Sequence, residues 1–390
     1  MQNFDFQNGT RIVFGANRLD DLQRLIPSNA KVLMLYGGGS IKKNGIYQEI
    51  VAQLQSRDWS EFGGVESNPS MEQLEPVIAQ AKEKKIDFIL AVGGGSVVDA
   101  SKFVAAAAKY EGEPWDILAS RGKKVKAAIP IGVFLTLPAT GSESNIHSVI
   151  TRKQWKVKAT FSSNHVSPKF AMLDPSVMAS LPVRQLGNGV VDAFVHVMEQ
   201  YLTVPANAPV QDRFAEGLLQ TLIEIGPQVV ANPGDLQLSG NLMWTAGMAL
   251  NGLIGVGVPQ DWSTHAIGHE LTALYNLDHA QTLAVVLPAM MHLRREVKQQ
   301  KLLQYAERVW GLKPDGSSDD AVQACITAVI ERTQAFFESV GVKTRLSDYQ
   351  LGANVIPVVI KQLEAHGITE MGEDKGVTLE VARQVLERAL

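Results

Sequence analysis

The segment Ile86-Asp87-Phe88-Ile89-Leu90-Ala91-Val92, followed at once by Gly93-Gly94-Gly95-Ser96, decides the fold of this chain. A continuous apolar run of this length is typical of a strand that is buried on both faces, and residues 97–109 continue with helical spacing. The same order occurs earlier, where the apolar residues 31–36 precede a glycine turn and a helical stretch. Strand, glycine turn and helix in repetition predict a parallel sheet with helices on both faces.

The second half of the chain has a different pattern of apolar residues. After Leu181-Pro182, long helical periodicities dominate, among them residues 192–201, 210–224 and 319–339, and β-branched runs become scarce. A chain of 390 residues is long enough for two domains with separate cores. We therefore predict an α/β domain with a parallel sheet over 1–180 and an all-α domain over 181–390.

Composition and charge narrow the classes of function. The net charge is −4, and lysines and arginines form no long block, so nucleic acid is not an expected partner. No apolar run reaches the roughly 18 residues of a membrane span, and the N-terminal residues lack the pattern of a signal peptide. The single cysteine, Cys325, excludes an internal disulfide. We expect a cytoplasmic protein that binds neither nucleic acid nor membrane.

The turn Gly93-Gly94-Gly95-Ser96 is a candidate phosphate site. Glycines let a ligand approach the backbone closely, and the N–H groups at the start of a helix favour an anion. The turn does not match the dinucleotide fingerprint G-x-G-x-x-G, because Val98 occupies the sixth position. The alternative interpretation is a tight connection between strand and helix without a ligand.

The turn Gly37-Gly38-Gly39-Ser40 bears on the choice of cofactor. In NAD enzymes the corresponding strand end usually carries an acidic residue that binds the ribose hydroxyls. Here that carboxylate is missing, and Lys42 and Lys43 follow, which favours the 2′-phosphate of NADP(H). A third turn, after the apolar run 129–135, contributes hydroxyl groups that suit phosphate or nicotinamide contacts or only cap the turn.

Five side chains of the second half are candidate metal ligands. Asp192 and His196 are four residues apart and therefore share one face of a helix. His265 and His269 repeat this spacing, and His279 follows a predicted bend. One carboxylate and several imidazoles suit Zn²⁺ or Fe²⁺. The spacing alone does not decide which of the five bind the metal, and a histidine on an amphipathic helix is often structural.

Taken together, these segments resemble the iron-containing (group III) alcohol dehydrogenase family, most closely its bacterial branch of NADPH-dependent aldehyde reductases and butanol dehydrogenases. The resemblance extends over essentially the whole chain, in segments 36–45, 68–69, 93–99, 189–196, 265–271 and 278–280. One departure is visible. The family's usual turn reads P-T-T-A-G-T-G-S-E, whereas this chain has Leu135, Leu137, Pro138 and Ala139 within it.

The resemblance implies a dehydroquinate synthase-like architecture, with an α/β doubly wound dinucleotide-binding domain over 1–180 and an all-α metal-binding and catalytic domain over 181–390. It also assigns roles to particular residues. It gives the metal to Asp192, His196, His265 and His279, and it puts the catalytic His269 near nicotinamide and substrate. The positions that match cofactor contacts are Gly37, Gly38, Gly39, Ser40, Asn68, Gly93, Gly94, Gly95, Ser96, Asp99, Thr136, Thr140, Ser142 and Lys158.

The implied function is a metal-dependent, NADP(H)-linked alcohol dehydrogenase or aldehyde reductase that interconverts small aldehydes and primary alcohols. Fe²⁺ and Zn²⁺ both suit the ligand set, and a homodimer through residues 10–14 is implied. Two alternatives stay open: an NAD-using lyase of the dehydroquinate synthase type on the same architecture, and a non-catalytic nucleotide-binding protein. The apolar residues of 253–262, just before His265, favour small aldehydes over the phosphorylated, carboxylated substrate of such a lyase.

Overall fold

A computed structural model describes residues 1–390. The strands, in chain order, are β1 (Arg11–Phe14), β2 (Lys31–Tyr36), β3 (Asp58–Gly63), β4 (Phe88–Gly94), β5 (Ile131–Leu137), β6 (His147–Arg152), β7 (Val157–Ser162), β8 (Phe170–Leu173), β9 (Glu370–Met371) and β10 (Val377–Thr378). The α-helices are α1 (Leu22–Leu25), α2 (Ser40–Lys43), α3 (Ile46–Leu54), α4 (Met71–Glu83), α5 (Gly95–Ala107), α6 (Trp115–Ala119), α7 (Val183–Tyr201), α8 (Pro209–Ala231), α9 (Leu236–Ala249), α10 (Ser263–Tyr275), α11 (His279–Leu293), α12 (Gln299–Trp310), α13 (Asp319–Ser339), α14 (Ile356–Ala365) and α15 (Leu379–Arg388).

Six strands form one sheet in the order β1-β8-β5-β4-β2-β3, and all neighbours are parallel. The apolar runs of β2 and β4 are buried, as expected for central strands of a parallel sheet that is covered on both faces. The predicted parallel sheet is thereby confirmed.

The strand order creates a switch point beside β2. The chain continues from β2 to β3 on one side and then returns to place β4 on the other side of β2. Ligands of open α/β sheets bind outside the carboxyl ends of the strands at such a point. Here those ends are Tyr36 and Gly94, the two positions at which the glycine turns occur.

The second glycine turn differs in detail from the prediction. The sequence predicts that the strand stops before Gly93, but β4 continues to Gly94, and α5 begins at Gly95. The cause is pairing with β5, because Gly93 lies opposite Leu135 and Gly94 lies opposite Leu137, with an irregularity between them. Residues 147–162 contain the antiparallel pair β6 and β7.

The region after residue 181 is helical except for the two-residue strands β9 and β10. Helices α10, α11, α14 and α15 share one apolar core, which includes Ile267, Val286, Val359 and Val385. Helix α7 begins at Val183, nine residues before the predicted start at Asp192. Its Gly187 packs so closely that an added Cβ would lie 2.1 Å from the carbonyl oxygen of Val340, which explains a glycine inside this helix.

The chain divides into two compact units. The α/β unit comprises residues 7–181 and 233–247, and the helical unit comprises residues 1–6, 182–232 and 248–390. The units differ from the predicted domains 1–180 and 181–390 in two segments. The first six residues belong to the helical unit, and most of α9 belongs to the α/β unit. None of the helices is both long and apolar enough to cross a membrane.

Candidate functional site

Three of the predicted metal ligands converge in the helical unit. Potential ligand atoms of Asp192, His265 and His279 all lie within 4.8 Å of one another. They come from three helices, α7, α10 and α11, so tertiary packing rather than sequence proximity assembles the cluster. Asp192 and His265 are buried, whereas the His279 side chain keeps 23% of its surface exposed.

Local structure holds His279 at the beginning of α11. Asn276 ends α10 in the left-handed conformation, with φ of 56°, and asparagine tolerates this conformation better than most residues. Asp278 then forms a capping box with Gln281. The amide of Asn188 on α7 donates to the Asp278 carboxylate at 2.7 Å. These bonds fix the first turn of α11 beside α7.

The other two candidate histidines lie at the same cluster. Nε2 of His196 is 3.8 Å from Oδ1 of Asp192, and the His196 ring stacks on that of His265 with 4.9 Å between centroids. The His269 ring lies 5.1 Å from that of His279 and 6.0 Å from that of His265. The structure therefore brings together all five side chains that the sequence singled out.

The cluster has the chemistry of a cation site. Oδ1 of Asp192 is buried and makes no hydrogen bond, a costly state for a carboxylate that faces no cation. Burial lowers the pKa of His196 to about 4, so its imidazole is neutral near pH 7, the form that binds metals. One carboxylate oxygen among several imidazoles fits a borderline divalent ion such as Zn²⁺ or Fe²⁺.

The α/β unit carries the predicted cofactor residues at its switch point. Gly95 lies so close to Thr140 that a Cβ there would be 2.3 Å from the threonine Oγ1. The turn after β2 depends on Gly39, whose φ is +97°. Ser40 begins α2 and is exposed, while the Ser96 hydroxyl donates to the carbonyl oxygen of Ser67.

The two predicted lysines of the β2 turn differ in their surroundings. Nζ of Lys42 lies over the rings of Tyr36 and Tyr47, 5.0 and 4.6 Å from their centroids. It is also 3.8 Å from the carboxylate of Glu61. Both lysines are exposed, but these contacts engage only the Lys42 ammonium.

The remaining predicted cofactor residues lie in one hydrogen-bonded region. The Ser142 hydroxyl donates to Asp99 at 2.6 Å, and the ammonium of Lys158 donates to the side-chain oxygen of Asn68 at 3.1 Å. Oγ1 of Thr140 accepts from the backbone N–H of Ser142 at 3.2 Å. Thr136 lies near the end of β5, the strand that leads into this turn.

Sequence analysis missed the residue at the centre of this region, Lys102. Its side chain is fully buried, and its ammonium donates to Ser142 at 2.9 Å, to Asn145 at 2.9 Å and to the carbonyl oxygen of His147 at 2.7 Å. Burial lowers the pKa of Lys102 to about 8. The only sequence signal was a lysine inside the apolar face of a helix.

The neighbouring carboxyl groups are buried as well. Burial raises the pKa of Glu143 to about 7, and the Lys102 ammonium acts in the opposite direction with a smaller effect. Burial likewise raises the pKa of Asp99. The Lys102 ammonium and the Asp99 carboxylate thus both bind Ser142 in the turn 138–143, and Glu143 is buried in the same turn.

Comparison with known proteins agrees with this geometry. Residues 9–175 match the family model for iron-containing alcohol dehydrogenase, and residues 188–371 match the C-terminal model of the Fe-containing alcohol dehydrogenase family. Neither alternative from the sequence, the lyase or the non-catalytic protein, is favoured by these matches.

Individual relatives of the chain agree with these family matches. The NADPH-dependent aldehyde reductase YqhD of Escherichia coli is 53% identical, with both chains covered completely. A crystal structure of that protein has a TM-score of 0.97, covering 100% of this chain and 99% of the other. The NADP-dependent alcohol dehydrogenase 3 of Entamoeba histolytica is 40% identical over 94% of each chain.

A more distant solved structure retains the whole fold. The NADH-dependent butanol dehydrogenase A of Thermotoga maritima is 34% identical, with a TM-score of 0.94 and coverage of 100% of this chain and 99% of that one. Family models over most of the chain, full-length relatives and the histidine cluster lead to one conclusion. The chain belongs to the family of iron-containing alcohol dehydrogenases.

Proposed function

We propose that this protein is a metal-dependent oxidoreductase that uses NADP(H) to interconvert small aldehydes and primary alcohols. The observation that carries the proposal is the convergence of Asp192, His265 and His279 within 4.8 Å, in a chain whose parallel sheet has glycine turns at its switch point. The family and the printed names of its NADPH- and NADP-dependent relatives support it.

The helical unit supplies the metal ligands. Asp192, His196, His265 and His279 would hold one Fe²⁺ or Zn²⁺. When bound, such an ion supplies Lewis acidity toward an aldehyde oxygen, and NADPH supplies the hydride. The apolar residues between Leu253 and Trp262, which lead into α10, favour a small substrate without phosphate or carboxylate groups.

The α/β unit binds the dinucleotide. The backbone of Gly93–Gly95 and the start of α5 favour the pyrophosphate. Asp99, Ser142 and Lys102 hold the turn that carries Thr140, and Lys158 and Asn68 form a linked polar pair. At the end of β2, Gly37–Ser40 present no carboxylate, which favours the additional phosphate of NADP(H) over NAD(H).

His269 is the proposed proton donor. Its ring lies beside those of His265 and His279. The residue is half-buried, so part of its surface is accessible to solvent. An imidazole titrates near neutrality, so His269 can deliver to the nascent alcohol, directly or through water, the proton that aldehyde reduction requires.

The protein is also proposed to form a homodimer through β1. This strand is at the edge of the sheet, and unpaired N–H and C=O groups of an edge favour pairing with another chain. A groove of about 620 Å³ beside it is lined by Phe14, Leu236 and Trp244, all exposed. Light scattering after size exclusion should give a dimer for the wild type and a monomer for Phe14→Asp; a monomeric wild type would contradict the assembly.

The activity is tested by following NADPH absorbance with butyraldehyde before and after chelation. We expect NADPH oxidation that a strong chelator abolishes and that added Fe²⁺ or Zn²⁺ restores. Undiminished turnover by protein from which the metal has been removed would contradict the metal requirement. Equal turnover with NADH would contradict the cofactor preference.

A further inference from the structure

Glu199 continues the stripe of metal-cluster residues along α7. Asp192, His196 and Glu199 follow one another at spacings of four and three residues, so all three lie on one face of the helix. The Glu199 side chain is buried, with 3% of its surface exposed. A buried carboxyl group in an apolar core requires partners, and all those of Glu199 belong to α10.

These partners are the first residues of α10. The Glu199 carboxyl oxygen Oε1 accepts from the backbone N–H of Thr264 at 2.7 Å and from that of His265 at 3.4 Å. The residue before α10, Trp262, provides no side-chain cap. Asp261 accepts from the N–H of Ser263 at 2.9 Å, so two carboxyl groups together satisfy donors that a helix start otherwise leaves unpaired.

The other oxygen of Glu199 contacts the imidazole of His265. Oε2 lies against Nδ1 of that ring, so the atom of His265 that can bind a cation is Nε2. Metal-binding histidines in proteins commonly donate their other ring N–H to a carboxylate, which fixes both tautomer and ring orientation. Glu199 is thus linked to the backbone and to the side chain of the same residue.

A further set of bonds holds Glu199 and α10 in place. The backbone N–H of Asp261 donates to the carbonyl oxygen of Glu199 at 2.8 Å. The buried ammonium of Lys298 pairs with the Asp261 carboxylate and donates to the carbonyl oxygen of Leu202 at 2.8 Å. Glu270, which also lies next to a cluster histidine in sequence, pairs instead with His366 at 2.7 Å.

We propose that Glu199 is a positioning residue of the metal site, which holds His265 so that Nε2 faces the cation and which locks the start of α10 to the ligand face of α7. This role rests on the metal site proposed above. It is distinct from ligation, because Glu199 reaches the cation only through the imidazole of His265.

The test compares metal affinity in Glu199→Gln and in a matched variant. Glutamine keeps an oxygen for the backbone N–H groups, but its amide can present N–H to Nδ1 and favour the tautomer that protonates Nε2. We expect Co²⁺ and Zn²⁺ to bind the metal-free variant about 10- to 100-fold more weakly than the wild type, by competition with a chromophoric chelator. The control is Glu216→Gln, a buried carboxyl that contacts Tyr201 on α7; its metal affinity should equal that of the wild type.

A second measurement uses the wild-type protein and therefore does not depend on whether a variant folds. Nitrogen-15 NMR of the metal-free wild type reports the tautomer of His265, which should carry its proton on Nδ1. A proton on Nε2, or wild-type metal affinity in Glu199→Gln, would overturn the role of Glu199. A wild-type protein that binds neither Co²⁺ nor Zn²⁺ would overturn the metal site itself, and the role of Glu199 with it.

Discussion

Oδ1 of Asp192 lies 3.7 Å from Nε2 of His279, although one residue is in the middle of α7 and the other begins α11. The same oxygen is 3.8 Å from Nε2 of His196 and makes no hydrogen bond. A buried carboxylate oxygen that faces two imidazoles at these distances is placed to share a cation with them, since each is too far for a hydrogen bond. The proposed chemistry depends on this relationship.

Ser40→Asp should reverse or remove the preference for NADPH. Ser40 follows the turn at the end of β2, and a carboxylate there would repel the 2′-phosphate while accepting hydrogen bonds from the ribose hydroxyls of NADH. The ratio of kcat/KM for NADPH to that for NADH should fall at least about tenfold, equivalent to ~1.4 kcal/mol. The check is steady-state kinetics with both cofactors and one aldehyde.

The control for this change is Ser56→Asp. Ser56 is an exposed serine in the turn after α3. It adds the same charge away from the switch point and should leave the cofactor ratio unaltered. An unchanged ratio in Ser40→Asp would show that the phosphate binds elsewhere.

Lys102→Met should weaken both stability and cofactor binding. The change removes three donated hydrogen bonds and leaves Ser142, Asn145 and the carbonyl of His147 without that donor. Because each unsatisfied buried group costs about 1–3 kcal/mol while the desolvation cost of the ammonium disappears, we expect a net loss of about 1–3 kcal/mol in the free energy of unfolding. The KM for NADPH should rise, because the turn that carries Thr140 loses its support.

Urea denaturation and cofactor kinetics measure these two effects. The exposed Lys109, just beyond the same helix, provides the control: Lys109→Met should change stability by less than about 0.5 kcal/mol. A Lys102→Met protein with wild-type stability and KM would show that the buried ammonium supports neither the fold nor the turn.

Glu143→Gln should change the pH dependence of stability. In the folded protein the pKa of Glu143 is raised from 4.5 to about 7. Between these values the folded state therefore holds a proton that the unfolded state has lost, and wild-type stability falls as pH rises through this window. Glutamine does not titrate, so the variant should gain on the order of 3 kcal/mol relative to the wild type between the two ends of the window.

Urea denaturation near the two ends of this pH window measures the difference. The exposed Glu224 serves as control, since Glu224→Gln should follow the wild-type pH dependence. Parallel curves for the wild type and Glu143→Gln would mean that the Glu143 carboxyl titrates in the folded protein as it does in the unfolded chain.

Sequence patterns predicted those parts of the fold that depend on interactions between residues close together in the chain. The buried strands β2 and β4 follow from apolar runs, and the shared face of Asp192 and His196 follows from helical spacing. The sequence pattern predicts this helix only from Asp192, whereas α7 begins at Val183. The extra segment contains Gly187, a residue unfavourable in helix interiors, and the close approach of the Val340 carbonyl, from a distant part of the chain, explains the glycine there.

The supporting residues of the candidate sites could not be derived in the same way. The sequence marks Lys102 only as a lysine among apolar helical residues, and its burial depends on the hairpin β6–β7 and the turn before it. Glu199 and Glu270 each lie close in sequence to a cluster histidine. Tertiary packing alone separates them, because it pairs Glu199 with His265 and Glu270 with His366. Roles that depend on long-range partners require the folded structure.

The most direct test of the central claim is the metal content of purified wild type, Asp192→Ala and His165→Ala, measured by elemental analysis alongside aldehyde reduction. His165 is an exposed histidine of the α/β unit and serves as the control. We predict about one Fe²⁺ or Zn²⁺ per chain in the wild type and in His165→Ala, and loss of both metal and activity in Asp192→Ala. Full activity in Asp192→Ala without bound metal would contradict the account.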